Sequence, residues 1–163
     1  MNQSSRDEEI IRSLKAEYGD KITISTPREK RINILVEKQN LKEISTILKK
    51  KYEFNRLISI SGVDYDREKV IEMVYHISSV DPSKSIICLK TRIDRTNPNV
   101  DSLIEIWRGA EYLERETYEM FGVIFEGHPK LERLFLPEDW NEPPPLRKDS
   151  KFGGELKFVP TDS

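Results

Sequence analysis

Six of the nine prolines, Pro129, Pro137, Pro143, Pro144, Pro145 and Pro160, lie beyond Gly122. Each removes a backbone donor and biases the residue before it toward extended geometry, so this stretch can be neither a long helix nor a central strand. The same stretch carries Leu131, Leu134, Phe135, Leu136, Trp140, Leu146, Phe152 and Phe158, a load of large apolar groups that disordered tails seldom hold. About forty residues are also too many for an idle loop within a compact domain. The expectation is a folded body over residues 1–122 and an extended segment over 123–163 that wraps a partner, with one short strand at Val123–Phe125.

The body has mixed periodicities. Asp7 to Tyr18 places Ile10, Ile11, Leu14 and Tyr18 on one helical face, and Gly19 is a C-terminal cap candidate. Lys21–Ser25 and Arg31–Val36 are strand-like runs separated by a hairpin connection, Thr26 to Lys30. Asn40 is placed to cap a helix with Leu41, Ile44, Ile47 and Leu48 on its stripe, closed by Lys49-Lys50-Lys51 at the end where cations favour the dipole. Three further strands follow, Phe54–Gly62 with Ile58 and Ile60 on one face, Val70–Ser78 and Ser85–Ile93, divided by turns at Val63–Lys69 and Ser79–Lys84. Val100, Leu103, Ile104 and Trp107 share a helical spacing, and Ala110–Phe121 reads as a second helix stopped by Gly122. Short connections favour antiparallel pairing. The expected class is α+β, a mainly antiparallel sheet with helices on one face, followed by the extended proline-rich segment.

Composition excludes several function classes. The 27 basic and 29 acidic residues leave a net charge of -2, which argues against a nucleic-acid partner. A single cysteine, Cys88, supplies neither a disulfide framework nor the thiolates of an iron-sulfur cluster. His76 and His128 with Cys88 lack the number and spacing of a zinc site. No dinucleotide fingerprint is present, and Gly153-Gly154 lacks the strand and helix context of a phosphate loop. No cofactor, metal or catalytic residue is therefore expected. The start of the chain lacks the pattern of a signal peptide and no run matches a membrane span, so a cytoplasmic location is expected. The lysine- and glutamate-rich charge set resembles that of proteins from hot environments.

Glu114, Glu116 and Glu119 are acid/base candidates, but Arg115 lies four residues from both Glu111 and Glu119, a spacing that favours ion pairing along the helix. His128, between Gly127 and Pro129, is placed in a turn where its ring satisfies backbone groups or meets a partner. Arg147, Lys148 and Asp149 follow three prolines and are presented on a stiff segment. Arg147 and Asp149 are expected to form charge-assisted hydrogen bonds across a subunit interface.

The run from Glu114 to Pro129, ERETYEMFGVIFEGHP, then Leu131 to Trp140, LERLFLPEDW, then Pro145 to Asp149, PLRKD, resembles the signature of the thirty-kilodalton family of respiratory complex I, the C subunits of NADH dehydrogenases. That family includes the corresponding subunits of energy-converting membrane-bound nickel-iron hydrogenases and related archaeal complexes. The resemblance implies a non-catalytic subunit of the peripheral arm, on the cytoplasmic side of the cell membrane and touching the membrane arm only indirectly. Its partners would be the large subunit, similar to nickel-iron hydrogenase large subunits and to the forty-nine-kilodalton subunit of complex I, and the small iron-sulfur subunit. The interface residues would be Glu114, Arg115, Glu116, Tyr118, His128, Pro129, Arg133, Trp140, Arg147, Lys148 and Asp149. Glu119 stands where many members have aspartate, and Asn141 to Pro144 replaces a glycine-containing approach to the last motif. These departures point toward a ferredoxin-linked hydrogenase coupled to ion translocation. The alternatives are the C subunit of a quinone- or methanophenazine-reducing dehydrogenase, a freestanding binding module, and a small acid/base enzyme using Glu116 or His128.

Overall fold

The computed structural model describes residues 3–80 and 85–151. Phe152, Gly153, Gly154, Phe158, Pro160 and the Asp81-Pro82 turn lie outside the described residues. The chain runs α1 (Gln3–Tyr18), β1 (Ile22–Arg28), β2 (Arg31–Val36), α2 (Leu41–Lys50), β3 (Arg56–Tyr65), β4 (Val70–Ser78), β5 (Ile86–Asp94), β6 (Asn99–Asp101), α3 (Ala110–Phe121) and β7 (Ile124–Glu126). Five strands form one sheet in the order β1-β2-β5-β4-β3, and β6 pairs with β7 apart from it.

The class is α+β, as expected, with a mostly antiparallel sheet. Only β2 and β5 run parallel in the large sheet, Arg31 opposite Ile86 through Val36 opposite Thr91. Alternation sorts the two faces. Ile32, Ile34, Ile71, Met73, Tyr75, Ile77, Ile87 and Leu89 point into the core, where they join Ile10 and Leu14 of α1, Leu41, Ile44 and Leu48 of α2, and Ala110 and Phe121 of α3 in a single cluster. The helices thus share one face of the sheet, and burial of these side chains supplies the main stabilisation of the body. His76 and Cys88 are paired across β4 and β5 on the other face, where Ser59 and His76 Nδ1 lie 3.1 Å apart.

Several local expectations need correction. β1 continues through Arg28, which leaves Glu29 and Lys30 as a two-residue turn with Lys30 at φ 62°. Asn40 makes no side-chain cap, because a short 3-10 turn over Lys38–Asn40 feeds α2 and its backbone carbonyls take the first donors. β3 begins at Arg56 and reaches Tyr65, so the turn to β4 is only Asp66 to Lys69. A register shift between Leu57 and Ser59 expels Ile58, which is exposed while Ile60 is buried. The helical spacing from Val100 to Trp107 is not a helix: Val100 pairs with Phe125 in the β6–β7 ladder, and the N–H groups of Ile106 and Trp107 both return to the Leu103 carbonyl in one turn.

Residues 127–151 contain turns but neither helix nor strand, in keeping with their prolines. They cross the end of α3, whose last residue, Phe121, lies against β3. A Cβ built on Gly62 of β3 would sit 3.0 Å from two ring carbons of Phe121, so glycine is what permits this close approach. Replacing Gly62 by alanine forces the ring to move and should cost about 1–3 kcal/mol of stability, read as a lowered denaturation midpoint with the far-ultraviolet dichroism retained.

Candidate functional site

α3 has an apolar stripe interrupted by acids. Ala110, Glu114, Thr117 and Phe121 share its inner face, and Glu114 has no exposed area. Its carboxylate accepts the Ser102 hydroxyl at 2.6 Å and the Leu103 N–H at 2.7 Å, binding the irregular segment after β6. Burial pushes the Glu114 carboxyl up, and these two hydrogen bonds partly oppose the shift. Expected at a partner interface, Glu114 instead works inside the body.

The outer side of α3 holds the segment that follows. Glu119, 4% exposed, accepts three successive backbone N–H groups, those of Leu134, Phe135 and Leu136. Arg115 donates to the carbonyls of Glu132 (3.1 Å) and Arg133 (3.4 Å). The expected pairing of Arg115 with Glu111 and Glu119 is therefore replaced by bonds from α3 to the tail backbone. His128 Nδ1 accepts the Lys130 N–H at 3.0 Å, so its Nε2 carries the proton and donates to the Glu111 carbonyl at 2.9 Å. Gly122, at φ 74°, closes α3 in the left-handed conformation, and a Cβ there would meet Pro144 at 3.0 Å. Leu146 N–H bonds the Met120 carbonyl at 3.0 Å.

Farther along, the tail meets an ion-pair network. Asp64, on β3, and Arg95, just after β5, form a two-point pair at 2.7 and 3.1 Å, with side chains 2% and 8% exposed. Lys148 N–H donates to Asp64 at 2.8 Å, and Asp149 bridges Arg95 (3.2 Å) and Arg147 (3.1 Å). Burial alone would raise the Asp64 carboxyl, but the Arg95 and Lys148 donors outweigh it and hold it below the usual range. Arg147 and Asp149 thus have charge-assisted partners within the chain.

Of the remaining expected interface residues, Tyr118, Arg133 and Trp140 come together with Glu119, Leu136 and Pro144 around a cleft of about 180 Å³. Glu116, Pro129 and Lys148 are exposed. The sequence reading missed Asp64, Arg95 and Ser102. Two of them had a signal: Asp64 continues the core-facing alternation Ile60, Gly62, and Arg95 continues Leu89, Thr91, Ile93, so each puts a charge in an apolar phase at a strand end.

Three outcomes follow. Arg95→Ala leaves Asp64 buried and unpaired and should cost about 3–5 kcal/mol, with faster proteolysis in residues 141–151. Because the Asp64 pKa is depressed by folding, its stabilising contribution is present above the ordinary aspartate range and is lost as pH falls through the lower folded value; acid denaturation of Asp64→Asn should show a shallower loss. Glu114 has the opposite sign: its folded pKa is raised, so its contribution declines as pH rises from the ordinary glutamate range through the folded value. Glu114→Gln, with its amide turned to donate to Ser102, should flatten that decline in urea titrations at successive pH values.

No helix among the described residues is long and apolar enough to cross a membrane. Residues 34–156 match the family described as "Respiratory-chain NADH dehydrogenase, 30 Kd subunit". The chain is 43% identical over 149 residues to the C subunit of the NADH-quinone oxidoreductase of Roseiflexus sp. strain RS-1, covering 90% of this chain and 84% of the relative. It is 40% identical over 143 residues to the C subunit of the F(420)H(2) dehydrogenase of Methanosarcina mazei, covering 86% and 89%. Among solved structures, a chain of an archaeal respiratory membrane complex, the membrane-bound sulfane sulfur reductase, superposes with a TM-score of 0.72 at 29% identity, covering 82% of this chain and 78% of that one. Nqo5, as a trypsin-resistant fragment, superposes with a TM-score of 0.66 at 27% identity, covering 77% and 99%. A match over residues 34–156, running from β2 through the tail segment held by α3 and the Asp64–Arg95 pair, makes this chain a member of the thirty-kilodalton subunit family of complex I-type oxidoreductases.

Proposed function

We propose that this chain is a non-catalytic assembly subunit of the peripheral arm of a complex I-like membrane-bound oxidoreductase, coupled to ion translocation. One observation carries the reading: two relatives, each covering more than four fifths of the chain, are both named as the C subunit of an oxidoreductase. The chemistry of the chain supports it. The buried acids Asp64, Glu72, Glu114 and Glu119 are all engaged with groups of the chain itself, and His128 has both ring nitrogens occupied by backbone partners. Such groups build a scaffold rather than move protons to a substrate.

The names of these relatives favour the dehydrogenase branch, acting on NADH and a quinone or on F(420)H(2), over the ferredoxin-linked hydrogenase expected from the two motif departures. The partners would be the hydrogenase-like large subunit and the small iron-sulfur subunit. Exposed Glu116, Pro129 and Lys148 and the cleft around Tyr118, Arg133 and Trp140 would face them, and residues 123–163 would lie along the large subunit.

A tagged full-length chain, purified from gently solubilised membranes, should bring down an iron-sulfur protein and a large hydrogenase-like subunit. The recovered complex should oxidise NADH or F(420)H(2) faster than reduced ferredoxin. Recovery of the tagged chain without any iron-sulfur protein would overturn the subunit assignment, and ferredoxin as the preferred donor would return the hydrogenase branch.

A further inference from the structure

Phe135 is 71% exposed, although its neighbours Leu134 and Leu136 are turned in and half-buried. Its loop is not slack. Three successive N–H groups, from Leu134 to Leu136, converge on the Glu119 carboxylate, while the carbonyls of Glu132 and Arg133 are held by Arg115. Both polarities of the loop backbone are thus bound by one helix, and the aromatic ring is held out in water by a carboxylate that is itself buried. A rigid, exposed aromatic gives up little conformational freedom when it docks, and that is the physical profile of a binding hot spot.

We propose that Phe135 is an anchor that enters an apolar pocket with a basic rim on a neighbouring subunit, and that Glu119 is the positioning residue that holds it out. The inference rests on the subunit reading above and names the anchor of that assembly. Charge selects the occupant. Near the ring in sequence, Glu132 is paired with Lys130 at 3.6 Å and Glu142 with Lys151 at 2.8 Å, while exposed Glu138 and Asp139 have no ion-pair partner among the described residues and are the charges that a basic rim would meet. An anionic lipid surface would be repelled, and a second copy would bring the same acidic segment against itself. A protein pocket lined by apolar groups and edged with lysine or arginine satisfies both the ring and its surroundings.

The test co-expresses differently tagged wild-type and variant chains and measures their ratio in the purified complex. Phe135→Ala should be under-represented about tenfold or more, while the Tm of the isolated full-length chain stays unchanged. Glu119→Gln should also be under-represented, and the double variant should be no worse than Phe135→Ala alone, because both act through the same ring. Additive losses would make Glu119 a merely structural residue and overturn its positioning role. Paired Glu138→Lys and Asp139→Lys changes should lower incorporation, and unchanged or improved incorporation would overturn the basic rim. Equal incorporation of Phe135→Ala, with exclusion of a chain lacking residues 128–163, would overturn the anchor and leave the subunit reading standing. Incorporation of that truncated chain as well would overturn the anchor and put the docking surface on residues 1–127, whereas recovery of the wild-type chain without any iron-sulfur protein would overturn the subunit reading itself. Binding of the wild-type chain to phosphatidylglycerol vesicles, lost in Phe135→Ala, would replace the protein pocket by a membrane.

Discussion

A backbone donor buried without an acceptor costs about as much as a lost hydrogen bond, and from residue 99 to 151 the regular elements are one helix and two three-residue strands, so turns and side chains must take the remaining donors. Three carboxylates take those that tie irregular segments to the body. Glu114 takes the donor of Leu103, Glu119 takes those of Leu134 to Leu136, and Asp64 takes that of Lys148. In each case an acid on a regular element receives an irregular segment distant in sequence. The path of the second half of the chain is therefore written in side chains rather than in ladders, with α3 as its frame.

This explains what the sequence disclosed and what it hid. Alternation in β4 and the apolar stripe of α2 were legible because each follows one period against one core. The run from Val100 to Trp107 has the spacing of a helix without being one, because a strand pair, a turn and the indole bond from Trp107 to the Phe54 carbonyl place the same apolar residues inward as a helix would. Ile58 fell out of phase through a bulge that no residue type announces. The spacing of Arg115 from its helical neighbours is visible in sequence, whereas the carbonyls of Glu132 and Arg133 compete for it only after the tail has folded back. Glu116, Tyr118, Arg133 and Trp140 were named from a family signature. Their local chemistry alone does not distinguish a partner from solvent.

The Asp64–Arg95 pair adds directional control to the contact. A buried ion pair gains little net stability over an apolar pair of the same size, since desolvation of both charges offsets their attraction. Its value lies in selectivity: only a segment that presents a free N–H beside a carboxylate, as Lys148 and Asp149 do, satisfies what remains of the pair. The tail is consequently held in one register at its far end as well as at α3.

The parallel pairing of β2 with β5 has a consequence for the order of folding. The β1–β2 hairpin closes through two residues and the β3–β4 hairpin through four, so both arise from near neighbours in the chain. Joining Arg31 to Ile86 must instead close a loop containing α2, β3 and β4, and that entropy is lost before the contact gives anything back. During synthesis the free edge of β2 waits for β5, with its amides and carbonyls open to any other strand. The interval before β5 arrives is the stage at which this protein is most exposed to mispairing, and a chaperone that shields Arg31–Val36 would act there.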